Sequence, residues 1–142
     1  MLLVKLVLGA LALLPLCVTA GPTYLCPGEG KTLRQLRIYE LNRDNRDAFH
    51  ARFQDHALRI MKKHQFEVVD MWESDSVERL QFIYVLAWPD EATMESRWKA
   101  FLADREWIDI KKRSAAEHGE LVRSTKGQIL RRVSYSPACQ PG

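Results

Sequence analysis

The chain has 142 residues, of which 46% are hydrophobic and 27% are charged, and this composition predicts one soluble globular domain rather than a disordered or fibrous chain. The formal net charge is only +3. This balance argues against a nucleic acid or an anionic membrane surface as the partner.

The first twenty residues have the pattern of a secretory signal. Lys5 is followed by an apolar run over residues 6–14, and Val18–Ala20 offers small residues at a cleavage site. The pattern predicts an exported bacterial protein, periplasmic or secreted, with cleavage after residue 20 and no stable membrane anchor afterwards. An uncleaved anchor is disfavoured because the run is shorter than the about 20 residues that a span needs. Lipidation at Cys17 is disfavoured by the bulky Leu16 before it.

The next elements read as a strand and a helix. Residues 33–41 alternate as a strand does, with Leu36 and Ile38 on one face and Arg37 and Tyr39 on the other. A polar turn and helix cap over residues 42–45 then lead into a helix that ends near residue 63. Its apolar stripe, at helical spacing, consists of Phe49, Phe53, His56, Ala57 and Ile60.

Two strands follow, over residues 66–73 and 80–88, joined by a polar turn. The second of them is apolar on both faces and must therefore be covered on both. Asp90 caps a helix after Pro89, and Asp104 marks a break before a further helical stretch. The buried positions expected on the capped helix are Met94, Trp98, Phe101 and Leu102. After a linker, the last strand is predicted near Gln128–Tyr135.

This order, β-α-β-β-α-β, predicts an α+β ferredoxin-like domain with an antiparallel four-stranded sheet and its helices on one face. The domain spans residues 33–137, between an irregular lead-in (21–32) and a tail (138–142). Because the first and last strands are neighbours in this plan, Cys26 and Cys139 come close, and we predict that they form a disulfide. Free thiols in the exported protein would contradict this pairing.

The helices leave the other sheet face open. We expect that face to carry Arg37, Tyr39 and one apolar side of the third strand. A large exposed apolar patch usually marks an interaction surface. The sequence therefore predicts a homodimer in which two sheets pack face to face as a dimeric α/β barrel.

Several segments resemble the NIPSNAP family, and together they extend over most of residues 33–137. They are Leu36–Glu40, Phe53–His56, Lys63–His64, Ala87–Asp90, Trp98–Phe101, Asp104–Trp107 and Tyr135–Pro137. The resemblance implies a dimeric α/β-barrel fold. Members of the family are mostly uncharacterised, and eukaryotic ones are linked to mitochondria and vesicle traffic, a setting from which an export signal departs. The wider barrel superfamily includes monooxygenases and haem-degrading enzymes.

Candidate ligand-pocket residues are Arg37, Tyr39, His56, Trp72, Tyr84, Trp88 and Trp98. In the structural interpretation, His56 is a core histidine with its hydrogen bonds made inside the protein, and the aromatic rings pack in the core and the interface. In the functional interpretation, a flat apolar ligand binds between the sheet and the helices or inside the barrel, and Arg37 and His56 orient it. Arg37 needs a partner charge, with Glu73 or Glu40 as candidates, or an anionic ligand.

No nucleophile and base, phosphate loop or metal-binding spacing is visible, and we predict no catalytic residues, no metal and no cofactor. We expect a dimeric domain that binds a small apolar or aromatic ligand or a protein partner. A purely structural interaction module is another hypothesis. The enzymatic alternative is a cofactor-light monooxygenase or haem-handling enzyme that uses the barrel cavity.

Overall fold

A computed structural model describes residues 33–133 and 135. Four strands form one antiparallel sheet in the spatial order β2-β3-β1-β4. They are β1 (Leu33–Leu41), β2 (Glu67–Asp75), β3 (Leu80–Trp88) and β4 (Val122–Arg131). This strand order is that of the ferredoxin-like plan, so the predicted fold class is confirmed.

Six helical segments connect the strands of the described chain. A short 3-10 turn (Arg43–Asn45) precedes a helix that comprises α1 (Arg46–Arg52), a π-helical stretch (Phe53–Ala57) and α2 (Leu58–Lys63). After β3 come α3 (Glu91–Leu102) and α4 (Arg105–His118). Within the described residues, no helix is long and apolar enough to cross a membrane. The predicted signal peptide, lead-in, tail and both cysteines of the predicted disulfide lie outside the described residues.

The predicted cap at Asp90 is present, and Asp104 caps a helix at the predicted break. The cap predicted over residues 42–45 is absent, because the side chains of Asn42 and Asn45 accept no capping hydrogen bond in the described structure. The Asp90 carboxylate accepts a hydrogen bond of 2.7 Å from the backbone N–H of Thr93. The Asp104 carboxylate accepts bonds of 3.0 and 3.3 Å from the N–H groups of Glu106 and Trp107. Each bond satisfies a donor that the first helical turn leaves unpaired, which fixes where α3 and α4 begin.

The last strand lies earlier than predicted, because Gly127 is an internal strand residue and not part of a linker. β4 spans Val122–Arg131 rather than residues near Gln128–Tyr135. It begins directly after buried Leu121, whose carbonyl accepts a 3.0 Å bond from the N–H of Asn42. β2 likewise continues to Asp75, beyond the predicted residue 73, because Asp75 still pairs with Leu80.

The core lies between the sheet and the helices. On β3, the residues Leu80, Phe82, Tyr84, Leu86 and Trp88 share one face, as strand alternation requires, and all of them are buried under the helices. The helices add Phe49, Phe53, Ala57, Ile60, Met61, Phe101, Trp107 and Ile110. The prediction for Leu102 was wrong, since 52% of it is exposed at the end of α3.

The orientation of β1 is the reverse of the prediction. Tyr39 packs edge-on against Phe49 and Tyr84, so Tyr39 and Arg37 lie under the helices. Leu36 and Ile38 face the other way and pair with Val85 and Ile83 of β3. We call this helix-free side the open sheet face. Its apolar residues are Leu36, Ile38, Trp72, Ile83, Val85, Ala87 and Leu130.

Candidate functional site

A half-open cavity of about 480 Å³ lies between the helices and the β4 side of the sheet. It exists because the helices do not reach over β4, where every residue from Arg123 to Arg131 is exposed. We call it the Arg37 pocket. It is lined by Gln35, Arg37, Tyr39, Arg52, Trp98, Phe101, Leu102, Trp107, Lys111, Val122 and Thr125.

Arg37 lies against two aromatic rings of this pocket. Its guanidinium carbon is 4.8 Å from the ring centre of Trp98 and 5.5 Å from that of Tyr39, which are cation–π distances. The side chain passes over Gly127 so closely that a Cβ built there would lie 2.6 Å from Nη1. The Nε of Arg37 is buried without a hydrogen-bond partner. Glycine at position 127 thus makes room for the guanidinium.

The two carboxylates considered as partners of Arg37 are engaged elsewhere, so neither of these candidates is its partner. Glu73 accepts hydrogen bonds from Arg46 and, at 2.7 Å, from His50. Glu40 lies on the open sheet face and accepts a 3.4 Å bond from Ser124. Among the described residues, no carboxylate forms an ion pair with Arg37.

Two tyrosine hydroxyl groups form a pair beside Arg37. The oxygens of Tyr39 and Tyr84 are 2.8 Å apart, and either can donate. Burial raises the pKa of Tyr84 well above its ordinary value, so this phenol stays neutral. Burial acts to lower the pKa of Arg37, but the two tyrosines outweigh it and the pKa is raised. The site therefore holds a permanent positive charge beside the neutral hydroxyl of Tyr84.

The second end of the pocket is built around Trp107. The guanidinium carbon of Arg52 and the Nζ of Lys111 lie 5.7 and 5.8 Å from the ring centre of Trp107. Arg52 also donates a 2.8 Å bond to the Oγ of Ser114. Burial lowers the pKa of Arg52, but from a value so high that the group stays charged at neutral pH.

Gln35 connects the pocket to the core. Its Oε1 accepts hydrogen bonds from the indole N–H groups of Trp98, at 2.7 Å, and Trp88, at 3.3 Å. Trp88 is fully buried and Gln35 is 7% exposed. One amide oxygen therefore fixes the position of the ring that lies beside Arg37.

The structure brings together some of the predicted site residues and separates others. Arg37, Tyr39 and Trp98 line the pocket, while Tyr84 and Trp88 lie buried beside it as partners of Tyr39 and Gln35. Trp72 is on the open sheet face and is 49% exposed. His56 is half-buried and is not among the lining residues.

Eight lining residues were absent from the predicted pocket set: Gln35, Arg52, Phe101, Leu102, Trp107, Lys111, Val122 and Thr125. A usable signal existed for two of them. Trp107 and Lys111 are four residues apart, which puts them on one face of a helix. For Gln35 the signal was indirect: it is a polar residue on the same face of β1 as the apolar residues Leu33 and Leu41.

Among the residues that the structure describes, no group of three or more His, Cys, Asp and Glu could hold a metal ion. The strand order, the one-sided helices and the ring-lined cavity define an α+β domain of the ferredoxin-like class. The family model described as NIPSNAP matches residues 34–137. The chain therefore belongs to the NIPSNAP family, and the resemblance found in the sequence is confirmed.

Solved structures share this fold. A NIPSNAP-like domain protein from Burkholderia xenovorans, described as uncharacterised, is 20% identical with a TM-score of 0.63, over 77% of this chain and 91% of that one. A NIPSNAP family protein of unknown function from Agrobacterium tumefaciens is 18% identical with a TM-score of 0.65, over 80% and 98%. A second Agrobacterium NIPSNAP protein is 16% identical with a TM-score of 0.64, over 74% and 96%. No curated protein matches the chain. At these identities the likeness concerns the fold alone.

Proposed function

We propose that this NIPSNAP domain is a binding protein for a small molecule with an apolar, aromatic body, which it takes up in the Arg37 pocket. The observation that carries the proposal is the cavity of about 480 Å³ lined by the rings of Tyr39, Trp98, Phe101 and Trp107. A concave, mostly apolar site with a few polar groups is the usual form of a small-molecule pocket.

The pocket is also partly pre-formed. The ring centre of Phe101 lies 5.3 Å from that of Trp107 in a tilted contact and 5.7 Å from that of Trp98 in an edge-on contact, while Gln35 holds Trp98 by a hydrogen bond. Rings that are already fixed lose little side-chain entropy when a ligand binds. A flat ligand can therefore find a rigid apolar wall on the helix side and strands β1 and β4 on the other.

The neutral fluorescent probe N-phenyl-1-naphthylamine tests this proposal. We expect it to bind and its emission to rise. Thr125, exposed on β4 at the edge of the pocket, can be replaced by tryptophan to fill the cavity. Thr125→Trp is expected to weaken probe binding by about tenfold or more, a loss typical of a blocked pocket.

The matched control is Val77→Trp, which adds the same ring at a fully exposed turn between β2 and β3. It should leave the affinity unchanged. Equal affinities of all three proteins for the probe would show that the probe binds elsewhere, and no binding at all would refute the proposal.

We further propose that a second copy of the chain covers the open sheet face. Leu36, Ile38, Ile83 and Val85 are only half-buried there, and 49% of Trp72 is exposed. Such a patch usually marks an interface. A two-fold axis parallel to the strands would bring the β2 edge of one copy opposite the β4 edge of the other.

That arrangement also matches charges. On the open sheet face, Asp70 lies on β2 beside Val85, and Lys126 lies on β4 beside Ile38. Pairing β2 with the partner's β4 therefore brings opposite charges towards each other at both edges of the interface. The face is thus complementary to itself, which favours a second copy over an unrelated protein.

Ile83→Lys is expected to convert the dimer to a monomer. A lysine in the middle of the apolar patch must either lose its hydration or keep the sheets apart, and the dissociation constant should rise about a hundredfold or more. Sedimentation equilibrium at micromolar concentration measures this change. Val77→Lys, the same substitution type at an exposed turn, is the control. A monomeric wild-type protein would contradict the proposed dimer.

A further inference from the structure

We infer that the ligand of the Arg37 pocket is an aromatic carboxylate, whose acid group is received by Arg37 while its ring system lies against Trp98 and Trp107. This inference rests on the proposed function and narrows it from any small aromatic molecule to an organic acid. Three independent features of the described residues point to it.

The first feature is the charge of the pocket wall. Arg37, Arg52 and Lys111 line the cavity, and none of the described residues that line it is acidic. Elsewhere on the surface, four arginines are paired with carboxylates. The pairs are Arg43–Asp75, Arg46–Glu73, Arg59–Glu106 and Arg131–Glu91. The pocket therefore concentrates three positive charges without an acidic lining residue, and an anionic ligand would supply the missing countercharge.

The second feature is the state of Arg37 itself. Its Nε is buried without a partner, and the described residues offer the guanidinium aromatic rings and the hydroxyls of Tyr39 and Tyr84 but no acid. A guanidinium removed from water is costly unless its N–H groups find acceptors. Its planar fork matches the two oxygens of a carboxylate, which would supply acceptors and countercharge together.

The third feature is the tyrosine pair. One proton of the two hydroxyls is used in the 2.8 Å bond between Tyr39 and Tyr84. Tyr39 lines the cavity and Tyr84 is fully buried. When Tyr84 donates to Tyr39, the remaining proton belongs to Tyr39 and is free for an acceptor in the pocket. A carboxylate on Arg37 would favour this arrangement, because it accepts hydrogen bonds and donates none.

Isothermal titration of two matched probes tests the inference. Naphthalene-2-carboxylate and 2-naphthalenemethanol share the ring system and differ in charge. We expect the carboxylate to bind the wild-type protein about tenfold to a hundredfold more tightly, the range for a hydrogen bond to a charged group. Arg37→Met should abolish this preference and leave the alcohol's affinity within about twofold. Arg79→Met, at an exposed turn, is the control.

Gly127→Ala provides a second variant with all charges retained. Its Cβ must displace the Nη1 of Arg37, the end of a flexible side chain, so the fold should persist. We expect the preference for the carboxylate to fall here too. Circular dichroism and thermal unfolding check that Arg37→Met and Gly127→Ala are both folded. Equal binding of the two probes to the wild type, or an unchanged preference in both variants, would overturn the inference and leave the pocket intact. Binding of neither probe would overturn the proposed function as well.

Discussion

Replacing Asp104 with alanine is expected to lower the free energy of unfolding by about 3 kcal/mol at neutral pH, a value combining a lost helix cap with buried donors left unpaired. The Asp104 side chain is only 4% exposed. One oxygen accepts from the backbone at the start of α4, and the other contacts Lys63 Nζ at 2.8 Å and His64 Nε2 at 2.7 Å. A single carboxylate thus joins the end of α2 to the start of α4.

The same contacts make the effect depend on pH. Hydrogen bonds from Lys63 and His64 hold the pKa of Asp104 far below its ordinary value. A depressed carboxyl pKa stabilises the fold above the unfolded-state pKa of about 4, and this contribution is lost as the pH falls below it. The difference in unfolding free energy between the wild type and Asp104→Ala should therefore be constant near neutral pH and should shrink below about pH 4. Urea unfolding followed over this range measures it.

Asp90→Ala is the matched control, because Asp90 caps α3 in the same way but is exposed and contacts no cation in the described structure. It should cost clearly less stability than Asp104→Ala. If both variants lose the same amount, the contacts to Lys63 and His64 contribute nothing and the cap alone explains the effect. A difference in unfolding free energy that stays constant down to about pH 2 would also refute the linkage argument.

The strand and helix pattern could be predicted because it rests on local signals. The alternation of side chains along the strands predicted the bounds of β1 and β3, and Asp90 and Asp104 marked the starts of two helices. β4 was misplaced for an equally local reason. Gly127 signals a break in the sequence, but here it lies inside a strand because Arg37 on the neighbouring strand passes over it.

The assignment of the β1 faces failed for a different reason. Arg37 and Tyr39 were assigned to the uncovered side because a charged residue is usually placed away from the core. The sheet has the opposite arrangement. Leu33 and Leu41 lie on the same face of β1 as Arg37 and Tyr39 and are buried under the helices, while Leu36 and Ile38 lie on the open sheet face. Polarity alone could not decide between the two faces when the helix-covered one also contains a pocket.

The pocket itself depends on tertiary geometry. Arg37 and Tyr39 of β1, Trp98 of α3, Trp107 of α4 and Arg52 of α1 are far apart in the sequence. Sequence reasoning identified three of the lining residues by their unusual chemistry, and it raised an anionic ligand as one solution for Arg37. It could not show that Glu73 and Glu40 are engaged elsewhere, which is the finding that favours a ligand.

The pocket and the proposed interface lie on opposite faces of one sheet, and β1 contributes to both. Arg37 and Tyr39 point into the pocket, while Leu36 and Ile38, which alternate with them along the strand, belong to the open sheet face. Binding and pairing are therefore separable by mutation. We expect that Ile83→Lys does not change probe affinity and that Arg37→Met does not change the oligomeric state.

Gln35→Met is expected to remove about 2 kcal/mol of stability and to weaken ligand binding at the same time. Methionine fills a similar volume but offers no strong acceptor, so the indole N–H of Trp88, which is fully buried, loses its partner. Trp98 is partly exposed, and water can replace its bond of 2.7 Å, but its ring is no longer held beside Arg37.

Urea unfolding and titration with naphthalene-2-carboxylate measure the two effects. Gln54→Met, an exposed helical position, is the matched control and should change neither. Gln35→Glu separates the causes, because it retains an acceptor for both indoles while adding a negative charge to the pocket wall. It should weaken binding of the carboxylate even though both indoles keep their acceptor. Binding of the acid to Gln35→Glu as tight as to the wild type would mean that the positive potential of the pocket does not select its ligand.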